Sequence, residues 1–545
     1  MRGNTEKFNK AEKSWILYDW ANSVYATNIM AAIFPIYYAS VAGDAGDKWW
    51  GIGVSVASLL IAVMAPFLGA IGDFRGMKKR LLTFFLVLGV LFTALMAFVG
   101  SWQLMLIGYV VSHIGYSGAN VFYDAFLTDV TTSDRMHKVS AWGYAMGYLG
   151  GSTIPFVISI VFLLLTDFSE TAIKFSILIT SVWWLLFSIP LLKNVRQEHY
   201  VDTPPSRLAS SAIRNLWSTM KSIARNRGIL IFLIAYFFYI DGVNTVISLA
   251  TNYGATLGLG STGMILALLL TQLVAVPFSI LFGRLARRIG SINMIISSII
   301  IYFIICGVGF FMGQNVEPYQ ISYVQTVDKA AASPPSFSSA HDRKTWDQLI
   351  LDIKEDGKNA LAAENRRLAF YEEKTDGSAG GVIGDVLARL KDPENQKYTF
   401  SSESDRLAAI SGLEAMKAPL LQFAADEGLQ ADYRKALALS SALFWIMAVL
   451  VGTVQGGIQA LSRSYFGRLI PPQRSNEYFG FFDIFGKFAA VIGPFLYSIF
   501  YMLTERASIG IISLMALFLA GGLTLFFGRK HLQRMEKTGS SISES

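Results

Sequence analysis

Six ionisable side chains lie inside long apolar stretches of this sequence. They are Asp19, His113, Asp124, Asp241, Asp483 and Lys487. A charged group at the depth of a bilayer is costly and is usually functional or paired. Asp483 and Lys487 are four residues apart with the acid first, so a self-neutralising pair on one helix face is the favoured interpretation of both. For His113, a satisfied contact between helices is favoured over a proton relay.

Two of these carboxylates belong to a motif, D-x-x-N-[S/T]-V, that occurs twice. The first copy contributes Asp19, Asn22 and Ser23, and the second contributes Asp241, Asn244 and Thr245. Each copy places amide and hydroxyl groups one helical turn after a carboxylate. This chemistry suits a zwitterion such as an amino acid, and the carboxylate could also take up a coupling proton. The alternative is that both carboxylates only accept hydrogen bonds that hold helices together.

A second set of charges has opposite signs at matched positions of an internal repeat. It consists of Asp124 and Asp129 in the first half and Arg463 and Arg468 in the second. Opposite charges at related positions are what a two-state gate between two halves needs. We therefore predict that Asp124 meets Arg463 or Arg468. The alternative is that Asp124 pairs within its own half, with Arg75 or Lys78.

The elements that carry these residues are membrane-spanning helices. Of the 545 residues, 53% are hydrophobic and only 16% are charged, whereas a soluble chain carries about a quarter charged residues. The apolar runs are long enough to cross about 30 Å of hydrocarbon. We predict an all-α, polytopic protein with twelve spans near 14–41, 49–72, 81–100, 103–130, 139–166, 171–192, 229–252, 262–283, 291–313, 437–461, 478–503 and 507–528.

The internal repeat divides these spans into two halves of six. Matched motifs in the later part of the chain are further apart, and the increase equals the length of one polar stretch. The predicted segments are 1–192, a linker at 193–228, 229–314, an insertion at 315–435, 436–528 and a tail at 529–545. The linker pattern predicts a basic amphipathic helix on the membrane surface, and a solvated connector is less favoured. The insertion predicts a small helical domain, with helices near 343–373, 381–391 and 403–429.

The net charge is +7, and the basic residues outside the insertion are concentrated in alternate loops, so the positive-inside rule places both termini in the cytoplasm and the insertion outside. Because the loops account for this charge, we expect no nucleic-acid partner. One cysteine and five scattered histidines give no disulfide, metal or cofactor motif. The sequence has no Walker motif and no nucleophile–base arrangement, which argues against an ATP-driven pump and against an enzyme.

Several motifs resemble a known family. Gly69-x-x-x-Asp73-x-x-Gly76, followed by Lys78-Lys79-Arg80, resembles the signature of the major facilitator superfamily, whereas the second-half copy has Arg287 in place of Asp73. The segments 18–23, 120–127 and 459–464 resemble the "unknown major facilitator" group, which is similar to the fungal vacuolar effluxers that release amino acids after autophagy. The resemblance implies that Asp19 and Asp241 face a central cavity. It also implies that Asp73 stabilises the outward-open state.

Together these features predict a secondary transporter of a small polar metabolite, with amino-acid efflux favoured by the resemblance. Its expected partners are the substrate, membrane lipids and a coupling proton, and we expect a monomer in a bacterial inner membrane. The alternative is a non-transporting receptor or scaffold that binds a partner through 315–435. A transporter should have a polar cavity containing Asp19 and Asp241, whereas a scaffold should bury both between helices.

Overall fold

The computed structural model describes residues 7–166, 169–202, 208–361, 372–373, 379–392 and 397–538. Within them the chain is almost entirely helical, which confirms the all-α prediction. The described β structure is limited to two short strands and one isolated bridge. The strands are β1 (Glu372–Glu373) and β2 (Ala379–Gly380), which pair antiparallel, and the bridge joins Phe74 to Val201.

The helices before the linker follow one another with short connections. They are α1 (Lys10–Tyr25), α2 (Ile33–Gly72), α3 (Met77–Met96), α4 (Trp102–Ala125), α5 (Leu127–Val130), α6 (Met136–Gly147), α7 (Ile154–Leu165) and α8 (Glu170–Asn194). Two π-helical stretches, Ala26–Ala32 and Tyr148–Thr153, join α1 to α2 and α6 to α7. Such stretches are rare and often occur at functional sites.

The later helices include two very long ones. They are α9 (Leu208–Arg225), α10 (Arg227–Thr256), α11 (Ser261–Ile289), α12 (Ser291–Ala330), α13 (Ala340–Leu361), α14 (Gly381–Lys391), α15 (Glu403–Ala425), α16 (Glu427–Leu469), α17 (Ser475–Thr504), α18 (Ala507–Ser513) and α19 (Met515–Thr538). The 40-residue α12 and the 43-residue α16 flank the insertion.

Ten of the described helical segments are long and apolar enough to cross a membrane, and they match ten of the twelve predicted spans. They are Lys10–Ala42, Ile52–Gly72, Met77–Met96, Met136–Leu165, Glu170–Asn194, Arg227–Thr256, Gly263–Ile289, Ser291–Ala330, Glu427–Leu469 and Ala507–Met535. The other two predicted spans, 103–130 and 478–503, coincide with α4 and α17, which are not among the ten. The count of twelve therefore stays a prediction.

Two hydrophobic cores organise the bundle. One is built from residues between Trp15 and Val195, and the other from residues between Ile223 and Leu532 together with Ala125. The core of the insertion, which includes Trp346 and Leu413, is continuous with the second.

The insertion has the predicted helices, but its predicted ends are not breaks in the backbone. Residue 315 lies within α12 and residue 435 within α16, so both helices continue past those positions. Helices α13, α14 and α15 correspond to the three predicted helical patterns, although residues 362–371 lie outside the described part. Helix α15 begins where the Ser402 hydroxyl accepts a hydrogen bond from the Asp405 amide, a standard N-cap.

The basic loops meet at one end of the bundle, which we call the basic end. There the carboxylate of Asp73, after α2, accepts a hydrogen bond from the backbone of Asn476 at the start of α17. His137 of α6 contacts Ser291 at the start of α12 at 2.9 Å. At the other end of the bundle, which we call the opposite end, Glu317 of α12 accepts from Ser508 at the start of α18.

Helix α9 in the linker agrees with the predicted amphipathic helix in position. Ile223 is buried in the second core, while Trp217 is 68% and Met220 is 44% exposed. The side chains of 203–216 lie outside the described part. Its attachment to a membrane surface stays a prediction.

Candidate substrate cavity

A cavity of about 800 Å³ lies between helices α1, α4 and α6 on one side and α10, α11, α16 and α17 on the other. Its volume is in the range of small-molecule sites. Carboxylate, amide, guanidinium and phenol groups line it. They belong to Asp19, Asn22, Ser23, Tyr116, Asn120, Tyr123, Asp124, Tyr144, Tyr148, Gln272, Gln455, Gln459, Arg463 and Asp483.

Glycines of α6 bring this helix close enough to α1 to shape the cavity wall. A Cβ atom at Gly143 would overlap the Asp19 carboxylate, and one at Gly147 would lie 2.7 Å from the Ser23 hydroxyl. These small residues therefore act in close helix packing. The first copy of the repeated motif sits at this contact and faces the cavity.

Arg463 of α16 is the centre of a charged cluster that joins the C-terminal helices to the N-terminal ones. Its guanidinium lies 3.0 Å from a carboxylate oxygen of Asp19 and 3.0 Å from one of Asp124. It also donates to the Ser140 hydroxyl at 3.0 Å and to the Ser140 carbonyl at 3.3 Å. The predicted contact between Asp124 and Arg463 is present, and Asp19 is a second partner that the sequence did not indicate.

Aromatic rings surround the same guanidinium. Its central carbon lies 4.4 Å from the Tyr144 ring centroid, 4.6 Å from that of Trp15 and 5.5 Å from that of Tyr123. Rings at these distances attract a cation through their faces. Only 4% of the Arg463 side chain is exposed. Two carboxylates and three aromatic rings therefore replace water around its guanidinium.

The cluster contains one cation and two carboxylates, which leaves an excess of negative charge. A ligand ammonium or a proton could neutralise that excess, since nearby opposite charge favours ionised carboxylates and like charge disfavours them. Asp483 also lines the cavity and adds to the negative side. The arrangement therefore favours a ligand ammonium, and Arg463 is the group in it that could meet a carboxylate.

The second copy of the motif is placed differently from the prediction. Asp241 is fully buried, and its carboxylate accepts from the Gly493 amide at 3.0 Å and from Thr245 at 3.4 Å. Because Gly493 has no side chain, the backbone of α17 can approach closely. Asn244 is half-buried, and none of the three motif residues lines the cavity. The expectation that Asp241 faces the cavity is wrong for this structure, where α10 contributes Ile247, Ser248 and Thr251 instead.

The other predicted gate charges, Asp129 and Arg468, are not brought together. Asp129 lies 2.6 Å from Lys78 and accepts from the His199 amide at 2.9 Å. Arg468 lies 2.5 Å from the His137 ring nitrogen, which belongs to α6. Lys78 also donates to Ser475 at 2.9 Å, so it too connects the N-terminal helices to α17.

Asp73, the signature aspartate, caps the first turn of α17. It accepts from the Asn476 amide at 2.9 Å, the Asn476 side chain at 2.8 Å and the Glu477 amide at 3.1 Å. The two backbone amides are donors that a helix N-terminus leaves unpaired, and the helix dipole favours an anion there. Burial raises the pKa of Asp73 to about 7, while the charge of Lys78 opposes the rise.

The remaining predicted residues divide between the cavity and the helix interior. Asp483 lines the cavity, while the Lys487 side chain lies outside the described residues, so their predicted pairing is untested. His113 is 5% exposed and lies against Tyr109, with ring centroids 5.6 Å apart and no place in the cavity lining.

Sequence reasoning missed most of the α16 contribution. Gln455, Gln459 and Arg463 are spaced four residues apart in an otherwise apolar helix, and all three line the cavity. Polar side chains at this spacing share one helix face. This spacing indicates a shared polar face and could have been used to predict it. In contrast, no pattern in the sequence indicates the roles of Trp15 and Ser140.

Comparisons with known proteins identify the family of this chain. Residues 51–319 and 439–536 match the family described as "Vacuole effluxer Atg22 like", so the two matched blocks flank the insertion. The "Uncharacterized MFS-type transporter YxiO" of Bacillus subtilis is 35% identical over 537 residues, covering 96% of this chain and 95% of that protein. "Autophagy-related protein 22" of Yarrowia lipolytica is 27% identical over 136 residues, 21% of this chain and 23% of its own.

Among solved structures, the proton:xylose symporter XylE bound to 6-bromo-6-deoxy-D-glucose superposes with a TM-score of 0.51. Its sequence identity is 11%, over 96% of this chain and 94% of that one, so the likeness concerns the fold alone. Fold, cavity and relatives together define a membrane transporter of the major facilitator type. Within that class, the chain belongs to the Atg22-like vacuole effluxer family.

Proposed function

We propose that this protein is a secondary active transporter that works by alternating access around the central cavity. In this proposal twelve spans form two six-helix halves, 1–192 and 229–528, which the linker joins and the insertion interrupts. The observation that carries the proposal is the Arg463 cluster, in which one cation from the second half meets Asp19 and Asp124 of the first half at the cavity wall.

The contacts that join the halves lie toward the basic end. They include the Arg463 cluster, the capping of α17 by Asp73, and a 2.9 Å hydrogen bond from Ser140 to the Ala460 carbonyl. The cavity extends from Asp19 along α1 toward Ala31, away from these contacts. We infer a conformation closed at the basic end, with a conformation open at the basic end as the partner state of the cycle.

We propose an amino acid as substrate, consistent with the efflux described for the family. Its ammonium would bind Asp19 or Asp124, and its carboxylate would bind Arg463 together with the amide of Asn22 or Gln459. Substrate would then replace the ion pairs between the halves, which weakens the closed state by differential binding. A coupling proton on the excess carboxylate would act in the same direction.

Counterflow in proteoliposomes tests this function. We expect unlabelled amino acids inside the vesicles to accelerate uptake of labelled amino acids over empty vesicles, because the cavity offers partners to both charged ends. Labelled sugars and nucleosides in the same vesicles are the matched comparison. Exchange of those compounds instead would overturn the amino-acid assignment. No exchange of any compound by correctly inserted protein would favour the receptor or scaffold function.

The orientation is a further proposal: both termini in the cytoplasm of a bacterial inner membrane, with the insertion outside. The physical reason is the concentration of basic loops at one end of the bundle. Alkaline phosphatase inserted at Gly380 should be active, while the same reporter inserted at Asp202 in the linker should be inactive. The reverse pattern would show that the basic end faces outward.

A further inference from the structure

A second pocket, of about 350 Å³, lies at the basic end and outside the central cavity. It is bordered by α6 and α11, and its lining includes Phe8, Lys138, Trp142, Gly283, Arg284 and Arg287. A Cβ atom at Gly283 would lie 2.6 Å from the Cβ of Ala141 and 3.1 Å from the His137 carbonyl. Glycine therefore lets the two helices cross closely, and the pocket sits beside this crossing.

The charged side chains that the structure describes in this pocket all have one sign. Lys138 comes from α6, while Arg284 and Arg287 come from α11, and no carboxylate is among the described lining residues. Within the described part of the chain, neither arginine makes an ion pair or hydrogen bond, and both are exposed. Arg284 and Arg287, one helical turn apart on α11, repel each other across this concave space, so a bound anion would relieve an unfavourable arrangement.

The surroundings of the pocket are those of a membrane interface. Trp142 packs edge-to-face on Phe8 at 5.7 Å, and the Lys138 ammonium lies 4.9 Å from the Phe8 ring centroid. Tryptophan and basic side chains together are typical of the headgroup level of a bilayer. On α11, Leu281 is 40% exposed and Ile289 is 49% exposed. An apolar surface thus adjoins the basic pocket on the same helix.

We propose that this pocket binds the phosphate of an anionic phospholipid, with an acyl chain along the exposed apolar surface of α11. Basic pockets between membrane helices on the cytoplasmic side are suited to such headgroups. A phosphate held there connects α6 to α11 and stabilises the conformation closed at the basic end. That last consequence rests on the proposed transport cycle, whereas the binding itself does not.

Native mass spectrometry of the purified, delipidated full chain tests the proposal with phosphatidylglycerol and phosphatidylcholine as probes. We expect the wild type to retain phosphatidylglycerol preferentially. An Arg284→Gln/Arg287→Gln variant should lose about fivefold in that retention for each arginine, about 25-fold in all. The matched control is Arg288→Gln/Lys530→Gln, which removes two exposed charges outside the pocket lining, and should stay within about twofold of wild type.

Equal retention of phosphatidylglycerol by the double variant and by its control would overturn the proposed site. Displacement of phosphatidylglycerol by millimolar inorganic phosphate, with equal stabilisation of the protein, would show a soluble anion site and overturn the lipid assignment. If the double variant does not fold, Lys138→Gln should show the loss of about fivefold by itself, and unchanged retention would count against the proposal. Since the readout is binding, its failure is distinguishable from failed counterflow.

Discussion

An Arg463→Gln variant should reach the membrane in normal amounts and yet lose at least about a hundredfold in counterflow, because removing one partner of a buried ion pair costs roughly 3–5 kcal/mol. In the closed conformation the change leaves the buried Asp19 and the half-buried Asp124 without their guanidinium. The population should therefore shift toward opening at the basic end.

A cysteine reporter can measure that shift, since Cys306 is the only cysteine in the sequence. In a Cys306→Ala background, Ser464→Cys places a thiol at a fully buried position of α16, one residue beyond Arg463. We expect a maleimide added from the basic end to react slowly with this background. Reaction should be at least about tenfold faster once Arg463→Gln is added, because each 1.4 kcal/mol of destabilisation changes the population ratio tenfold.

The control for this prediction is Arg288→Gln, an exposed arginine of α11 that lies outside the cavity. It should leave counterflow and labelling unchanged. Adding Asp124→Asn to Arg463→Gln should recover part of the activity, because it removes one of the uncompensated charges. Coupling between the two changes below about 0.5 kcal/mol, the usual scatter for independent sites, would contradict a cooperative cluster.

Several parts of this structure could be predicted from local properties of the sequence. Long apolar runs identified ten helices that can cross a membrane, because spanning length and hydropathy are properties of one segment at a time. The contact of Asp124 with Arg463 could be predicted from the opposite signs of the two charges at matched positions of the sequence repeat, and the structure has it at 3.0 Å.

Other parts depend on neighbours that the sequence does not reveal. Asp241 has the same motif as Asp19, but Gly493 lets the α17 backbone occupy the space beside it. The predicted insertion boundaries at 315 and 435 follow the hydropathy of the sequence. Hydropathy changes at the point where a helix leaves the apolar interior of the membrane. The backbone of α12 and α16 does not change there, because helical hydrogen bonds continue in water.

The variants Asp19→Asn and Asp241→Asn should therefore differ sharply in the rate of counterflow, although the sequence motif predicts equal effects for the two. Asp19→Asn removes a carboxylate that lines the cavity and pairs with Arg463 at 3.0 Å. We expect counterflow to fall at least about tenfold, because a charged cavity contact worth about 1.5–3 kcal/mol is lost.

Asp241→Asn is the matched control, with the same change of side chain at the equivalent position of the repeat. Its carboxylate lies outside the cavity and accepts from Gly493 and Thr245, so an asparagine oxygen can accept the same hydrogen bonds. We expect counterflow within about threefold of wild type, with any loss confined to thermal stability and no larger than about 1–3 kcal/mol.

Measuring both rates at equal protein density, across a pH series, separates the outcomes. Equal large losses would restore a symmetric site with both motif copies in the transport cycle. Normal transport by both variants would leave Asp19, like Asp241, as a residue that only holds helices together.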